Sequence, residues 1–218
     1  MEYGYGNWIL VIITSLAFLA FLKSSFKPKT KTDWRTYNLF AAFIVSLFVE
    51  MYGFPLTIYL LTSWLGSKFF NIDFSHNAGH LLNTLLGLKG DPHFSLLHII
   101  SNILIVSGLI MISVAWDTLY KAQKNKKLAI KGIYDYVRHP QYTGFIAIIV
   151  GFLIQWPTLI TLLMAPILIV RYIRLAKNEE TMMIKEYGVE YINYKNKTPA
   201  FFPFLSKLLT RRILKFSK

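Results

Sequence analysis

The stretch Lys131-Gly-Ile-Tyr-Asp-Tyr-Val-Arg-His-Pro-Gln-Tyr-Thr-Gly144 places charged, polar and ring-bearing side chains at the edge of an apolar segment. Gly132 permits a tight turn after a basic connection. Pro140 suits the first position of a helix, where its missing N–H costs nothing. Arg138 and His139 then lie at a helix N-terminus, whose free N–H groups and positive dipole end favour anions. The stretch therefore predicts a site that binds a polar ligand.

The composition around this stretch is that of a membrane protein. Of the 218 residues 54% are hydrophobic, yet the chain carries 24 Lys and Arg against 11 Asp and Glu. The apolar residues form blocks long enough to cross a bilayer, which takes about 20 helical residues. We predict an all-α polytopic membrane protein with about five transmembrane helices. They are expected at 8–22, 39–66, 95–116, 143–156 and 158–174, the last two forming a short hairpin.

The distribution of Lys and Arg predicts the orientation. Five of them lie in 23–37, six in 117–142 and eleven in 171–218, against two in 67–97. The N-terminus is therefore expected outside and the C-terminus in the cytoplasm. The first span has no basic residue before it and no small-residue cleavage site after it, so we expect it to be retained rather than removed as a signal peptide.

The net charge of +13 invites a nucleic-acid interpretation, which the sequence does not support. No basic groove alternates with base-stacking aromatic residues in a soluble module. The charge is instead explained by topology and by contact with anionic lipids, so the bilayer is the expected partner. The chain has no cysteine, which excludes disulfides and thiolate chemistry.

Three polar residues are expected deep within the apolar spans. Glu50 lies well inside the second span, where a carboxylate needs a partner. His98 and Asn102, four residues apart on one face of the third span, enter from the opposite side to a similar depth. They predict either a polar pocket for a substrate head group or a hydrogen-bond network that fixes helix packing, and the sequence leaves both open.

The segment 67–97 is rich in metal-ligating residue types. His76 and His80 would share a face of a helix, and His93 follows, with Asn71, Asp73, Asn77 and Asp91 nearby. Paired imidazoles with a carboxylate bind zinc in other proteins, but no Glu stands beside the first His as in a metalloprotease helix. We therefore predict no metal here, and an interfacial cover helix that uses Leu81, Leu82, Leu85 and Leu86.

The C-terminal part is predicted to form cytoplasmic helices that cap the bundle. A helix carrying Glu179-Glu180 should end at Tyr187-Gly188, since Gly suits the position after a helix. A second short helix should run through Tyr191 and Tyr194 and stop before Pro199. The tail 205–218 alternates apolar and basic residues at helical spacing and is expected to lie on the membrane surface.

Two separated blocks carry a resemblance to a known superfamily. The first is Gly-x-Tyr-x-x-x-Arg-His-Pro-x-Tyr-x-Gly at 132–144, and the second is Glu179-Glu180 followed by Tyr-Gly-x-x-Tyr-x-x-Tyr, Pro199 and Pro203. Together, over about 128–204, they resemble the isoprenylcysteine carboxyl methyltransferases and phospholipid methyltransferases.

The resemblance implies S-adenosylmethionine as methyl donor, with S-adenosylhomocysteine as product, in a cytoplasm-facing pocket. Residues expected at the amino-acid and sulfonium end are Tyr134, Arg138, His139, Pro140 and Tyr142. Glu179 and Glu180 would accept from the donor's amino or ribose hydroxyl groups, or hold Arg138. Tyr191 would help to close the pocket or serve packing, as would Tyr187 and Tyr194. Arg138, His139 and Glu180 are the catalytic candidates.

The resemblance does not identify the acceptor. It implies a lipophilic or small hydrophobic molecule that accepts the methyl on a carboxylate, amine or thiol. Only an amine or thiol requires a base, for which His139 or Glu180 is the candidate.

We expect residues 1–127 on the acceptor side, 128–204 as the cofactor core and 205–218 as the surface tail. The alternative is a non-catalytic membrane protein that binds lipid or metal through the histidine segment. A transporter is disfavoured because no inverted repeat is visible. Oligomeric state is left open.

Overall fold

The computed structural model describes residues 5–25, 31–65 and 76–203, and these ranges are α-helical without strands. Asn71, Asp73 and the tail 205–218, for which the sequence made predictions, lie outside these ranges. The α-helices are α1 (Trp8–Ser25), α2 (Lys31–Phe48), α3 (Leu56–Leu65), α4 (Leu81–Leu85), α5 (Leu96–Lys124), α6 (Pro140–Gln155), α7 (Leu159–Tyr187) and α8 (Val189–Lys197). The predicted all-α class is confirmed.

Two described helices are long and apolar enough to cross a membrane. They are α5 and α7, each of 29 residues, which begin within one residue of the predicted third and fifth spans and extend beyond the predicted ends. A third span results if a bent pair, 37–53 and 56–63, counts as one. Helices α1 and α6 are apolar but shorter.

The predicted second span is not one continuous helix. A π-helix at Val49–Gly53 follows α2, and the chain then bends by 66° before α3. Pro55 lies at the bend, where its missing N–H interrupts helical hydrogen bonding. Glu50 has a local role there: its side-chain Oε2 accepts the N–H of Thr57, at 2.7 Å, in the first turn of α3. The bend therefore uses the buried carboxylate predicted to need a partner.

The helix with the two adjacent glutamates is also different from the prediction. We expected a span at 158–174 and a separate cytoplasmic helix, but α7 runs unbroken from Leu159 to Tyr187, with Pro166 inside it. Its 29 residues extend about 44 Å, which exceeds the roughly 30 Å hydrocarbon core. The span and the glutamate-bearing helix are thus one element.

The ends of α7 follow the sequence signals. At its start Thr158 and Thr161 cap each other, since the N–H of each donates to the hydroxyl of the other at 3.0 and 3.1 Å. At its end Gly188 has φ +54°, the positive value expected there. The predicted second short helix is α8, and it stops before Pro199 as expected.

The chain divides into two compact units. One comprises Met1–Val106 with Ile148–Val170, and the other comprises Ser107–Ala147 with Arg171–Lys218. The core of the first unit includes a cluster of rings, Phe18, Phe48 and Phe152, with centroids 5.5–5.8 Å apart. In the second unit Tyr172 is buried and stacks on Phe145 at 5.2 Å.

Two glycines on α6 allow its backbone to approach α5 closely. A Cβ on Gly144 would lie 2.8 Å from the carbonyl oxygen of Gly108, and one on Gly151 would lie 2.9 Å from that of Ser101. Real Cβ atoms do not come so near to a backbone carbonyl. Small residues that permit such approach are typical of helix pairs in membranes.

We predict that Gly144→Ala destabilises the protein by roughly 1–3 kcal/mol, because the added methyl forces the two backbones apart. Thermal unfolding in detergent should show a lower midpoint. The matched control is Leu163→Ala, which shortens a side chain that is 72% exposed. Equal midpoints for Gly144→Ala and the wild type would contradict the close packing described here.

Candidate functional site

The motif predicted to bind a ligand lies at the start of α6, as expected. Gly132, with φ +67°, opens a 3₁₀ helix that leads into it, and Pro140 is the first residue of α6. The backbone N–H groups of Arg138 and His139 donate to the carbonyls of Pro199 and Ala200, at 2.8 and 3.0 Å. The segment that follows α8 thereby fixes the entry into α6.

Glu180 on α7 joins three cationic or polar side chains. Its Oε1 accepts from Arg138 Nε at 2.9 Å and Nη2 at 2.6 Å, and lies 3.1 Å from His139 Nε2. Its Oε2 lies 2.7 Å from Lys195 Nζ on α8. The side chains of Glu180 and Arg138 are each only 10% exposed. One buried carboxylate thus connects the motif, α7 and α8, and we call these four residues the Glu180 hub.

Arg138 also donates to two backbone carbonyls of the C-terminal segment. Its Nη1 donates to the backbone carbonyl of Lys195 at 3.0 Å and to that of Thr198. Of the alternatives open from the sequence, the one in which a glutamate holds Arg138 is what the structure shows. The guanidinium fastens the C-terminal segment to the start of α6.

Glu179 has different surroundings from its neighbour. The hydroxyl of Tyr142 donates to its Oε1, and its Oε2 lies 3.6 Å from His139 Nδ1. Its side chain is 35% exposed, against 10% for Glu180. The imidazole of His139 therefore lies between the two carboxylates, and Glu179 is the one that an incoming ligand can reach.

Aromatic side chains surround this polar centre. Tyr142 stacks on Tyr172 with centroids 5.6 Å apart, and the ring of Phe201 lies 5.8 Å from that of His139. Tyr191 is buried, and this burial, with the charge of Glu180, raises its pKa to about 12. Its phenol is therefore neutral at physiological pH.

Tyr134 forms its hydrogen bonds with residues of α6 and α8, and not with Glu179 or Glu180. Its hydroxyl donates to Gln141 Oε1 at 3.1 Å, and its backbone carbonyl accepts from the hydroxyl of Tyr194 at 2.6 Å. Burial, with the charge of Glu179, raises the pKa of the Tyr134 hydroxyl above its usual value. Its contacts are those of a packing residue.

Sequence reasoning missed several members of this site. Lys195 was not singled out, although it lies four residues after Tyr191 and so on the same face of α8. That spacing was the available signal. Thr198 and Phe201 carry no signal of their own, because Thr198 contributes a backbone carbonyl and Phe201 contributes ring packing. Gln141 contributes its side-chain oxygen, which accepts from the hydroxyl of Tyr134.

The three residues expected to form a polar pocket in the spans have different surroundings. Glu50 lies at the bend described above, where its Oε1 has no hydrogen-bond partner in the described part of the chain. Asn102 is exposed on α5. His98 lies beside the histidines of the preceding segment, 5.3 Å from the rings of both His80 and His93.

The histidine segment does not form the single cover helix that was predicted. A 3₁₀ helix at His76–Gly79 is followed by the five-residue α4. Leu81 is buried, but Leu85 and Leu86 are 55% and 64% exposed. His80 is buried between the two short helices, and burial with the neighbouring imidazoles lowers its pKa to about 3.

Comparison with known proteins relates the motif to methyltransferases. The family described as phospholipid methyltransferase matches residues 93–190. Protein-S-isoprenylcysteine O-methyltransferase of Schizosaccharomyces pombe is 31% identical over 86 residues, which are 39% of this chain and 36% of that protein. Cobalt-zinc-cadmium resistance protein CzcN of Cupriavidus metallidurans is 30% identical over 114 residues, which are 49% of this chain and 52% of that protein.

The chain thus spans about a third and about half of the lengths of these two relatives. The matched residues 93–190 include the motif, the hairpin and both glutamates, whereas Tyr191 and Lys195 lie just beyond them. The resemblance to the superfamily of isoprenylcysteine carboxyl and phospholipid methyltransferases, predicted from the two sequence blocks, is thereby confirmed.

Proposed function

We propose that the protein is an integral membrane methyltransferase that uses S-adenosylmethionine and methylates a lipophilic acceptor. The family match over 93–190 and the two helices long and apolar enough to span a membrane support this proposal. The observation that carries it is the pair of adjacent carboxylates on α7 that contact side chains at the start of α6. One is buried in the Glu180 hub, and the other remains accessible beside His139 and Tyr142.

The residues present suit the chemistry of S-adenosylmethionine. Glu179 is the carboxylate available to accept from an ammonium or from ribose hydroxyls. The rings of Tyr142 and Phe201 are of the type that faces a sulfonium cation, and the N-terminus of α6 favours the donor's carboxylate. When bound, the cofactor supplies the methyl group and leaves as S-adenosylhomocysteine.

In this proposal Glu180 and Arg138 are positioning residues. Because Glu180 already accepts from Arg138 and Lys195 and lies against His139, a further ligand has little access to it. The hub holds His139 and the start of α6 in place, which matters because methyl transfer depends mainly on positioning donor and acceptor near contact. Glu180, which the sequence predicted as a catalytic residue, therefore has a positioning role in this proposal.

His139 is the residue we assign to proton transfer when the acceptor is an amine or a thiol. Its ring lies between two carboxylates, and imidazole is the side chain that most often transfers a proton in catalysis. A carboxylate acceptor needs no base, so His139 would then only orient the reactants.

The membrane arrangement extends the proposal. We propose five spans with α1, the bent α2–α3 pair and α6 added to α5 and α7, the N-terminus outside and the donor site cytoplasmic, as the Lys and Arg distribution favours. The acceptor would enter from the bilayer, with residues 1–127 on the acceptor side and 128–204 as the cofactor core. The polar residues Glu50, His98 and Asn102 stay candidates for contact with its head group.

Donor binding tests the proposal directly. Isothermal titration of S-adenosylmethionine into the purified full chain in detergent should show one saturable site per chain, competed by S-adenosylhomocysteine. Monodisperse, cooperatively unfolding protein that binds neither compound would contradict the proposed function.

We predict that Glu179→Gln weakens donor binding at least about tenfold, because it removes the accessible charge, worth roughly 1.5–3 kcal/mol in a charged hydrogen bond. Thermal stability should stay close to the wild type, since this side chain is 35% exposed. The matched control is Glu186→Gln, an exposed residue on the same helix. Wild-type affinity in Glu179→Gln would move the site elsewhere.

For Glu180→Gln we expect loss of stability together with loss of donor binding. Removing one partner of a buried ion pair costs about 3–5 kcal/mol, here because Arg138 and Lys195 lose their anion. Lys195→Met is the comparison, because the side chain of Lys195 is 40% exposed and ion pairs of exposed residues contribute about 0–1 kcal/mol. Unfolding midpoints in detergent measure both, and a larger effect for Lys195→Met would refute the hub.

A further inference from the structure

Three histidines outside the methyltransferase site converge in the structure. His76, His80 and His93 each offer a ring nitrogen, and these nitrogens all lie within 4.8 Å of one another. The rings come from two separate 3₁₀ helices, His76–Gly79 and Pro92–Phe94, and from the residue that precedes α4. We propose that these histidines form a site for a divalent transition-metal ion of the Zn²⁺ type.

Two of the imidazoles lie near backbone groups of other elements. The backbone of Met51 acts to raise the pKa of His76, and that of Gln155 acts to raise the pKa of His80, against the larger effect of burial. Metal-binding histidines are usually oriented in this way, with one nitrogen bonded to a carbonyl or carboxylate and the other directed at the ion. The backbone groups of Met51 and Gln155 are therefore placed to orient these two rings, and the Nε2 of His80 is left for a ligand.

The third imidazole is oriented by a carboxylate. His93 Nδ1 lies 2.7 Å from Asp91 Oδ1, and the same oxygen accepts the backbone N–H of His93 at 3.0 Å. Asp91 caps the short helix that begins at Pro92, so the carboxylate and the ring are fixed together. A carboxylate that bonds one nitrogen sets the tautomer and strengthens the other nitrogen as a ligand.

The second ring nitrogen of His80 is available to bind a ligand. His80 is 4% exposed, and its Nε2 is buried without a hydrogen-bond partner in the described part of the chain. Buried polar atoms are rarely left without a partner, and each one needs an explanation. A metal ion between the three rings supplies one.

The indole ring of Trp156 packs against the backbone at Gly79 and against two of the imidazoles. A Cβ on Gly79 would lie 1.9 Å from Trp156, so only glycine allows that ring to lie against the turn between His76 and His80. The Trp156 ring is 4.6 Å from that of His76 and 5.0 Å from that of His80. This apolar wall excludes water from one side of the cluster.

A fourth imidazole lies within reach. The ring of His98 is 5.3 Å from those of both His80 and His93, and its Nδ1 is likewise buried without a partner among the described residues. Zn²⁺ prefers four ligands in a tetrahedron. The cluster therefore offers three imidazoles and a neighbouring position for a fourth.

The ligand chemistry selects the class of ion. Imidazoles without thiolates suit Zn²⁺, Co²⁺, Ni²⁺ and Cu²⁺, whereas Ca²⁺ and Mg²⁺ require oxygen ligands. A tetrahedral ion with bonds of about 2.0–2.1 Å holds its nitrogens roughly 3.4 Å apart. In the structure the three nitrogens lie within 4.8 Å of one another. Side-chain rotations that shorten these distances by at most about 1.4 Å would bring the nitrogens to the separation that the ion requires.

The test uses the full chain purified in detergent with an affinity tag that contains no histidine. Titration with Co²⁺ should produce the visible absorption of a tetrahedral site, and Zn²⁺ should displace it at one ion per chain, measured by calorimetry and by metal content. Wild-type protein without saturable binding of either ion would overturn the proposal.

Variants locate the ion. We expect the double variant His80→Ala with His93→Ala to bind Zn²⁺ about 100-fold more weakly or worse, since loss of outer-shell partners alone costs 10–100-fold. Glu186→Gln, which alters an exposed residue of the other compact unit, is the control and should retain wild-type affinity for Zn²⁺. Equal Zn²⁺ affinity in the double variant and the wild type would refute the site.

A conservative variant, Asp91→Asn, tests the site without the loss of folding that the double variant could cause. Asp91→Asn alters a side chain that is 50% exposed and removes only the charge that orients His93. It should fold like the wild type, with the same unfolding midpoint without metal, and bind Zn²⁺ about 10–100-fold more weakly. Unchanged Zn²⁺ affinity in Asp91→Asn would contradict the assigned role of this carboxylate in the site.

Discussion

The site depends on one buried carboxylate and the cations that surround it. Glu180 is only 10% exposed in its side chain and would be costly to bury without Arg138 and Lys195. Satisfying it requires the start of α6, the last turns of α7 and the face of α8 to meet. Once they meet, Arg138 reaches the carbonyls of the segment after α8, and His139 and Glu179 take up their positions. The proposed chemistry rests on this single electrostatic centre.

Much of this arrangement was predictable because its signals are local. Pro140 at the start of α6, Gly132 in the turn and Gly188 after α7 depend on backbone preferences that a residue carries wherever it occurs. The difference in burial between Glu179 and Glu180 was not predictable, because it depends on partners of Glu180 that are 15 and 42 residues away in sequence. The bend at Pro55 had a signal in the proline, which the apolar run around it obscured.

The histidine segment shows the same limit more strongly. Their spacing predicts His76 and His80 on one face of a single helix. In the structure His76 begins a 3₁₀ helix and His80 precedes α4, yet the centroids of their rings lie 6.2 Å apart. His93 and His98 join through tertiary contacts, and Trp156, from far along the chain, forms the wall. Periodicity reports the face of one element, whereas a metal site is assembled from several.

Methyl transfer in living cells tests the central claim most directly. Cells with the wild-type chain, with the Glu179→Gln chain or with neither would be fed methyl-labelled methionine, and their lipids and small hydrophobic metabolites analysed by mass spectrometry. We expect a labelled lipophilic product that appears only with the wild-type chain. Identical labelled products in all three would contradict the claim that this site transfers a methyl group.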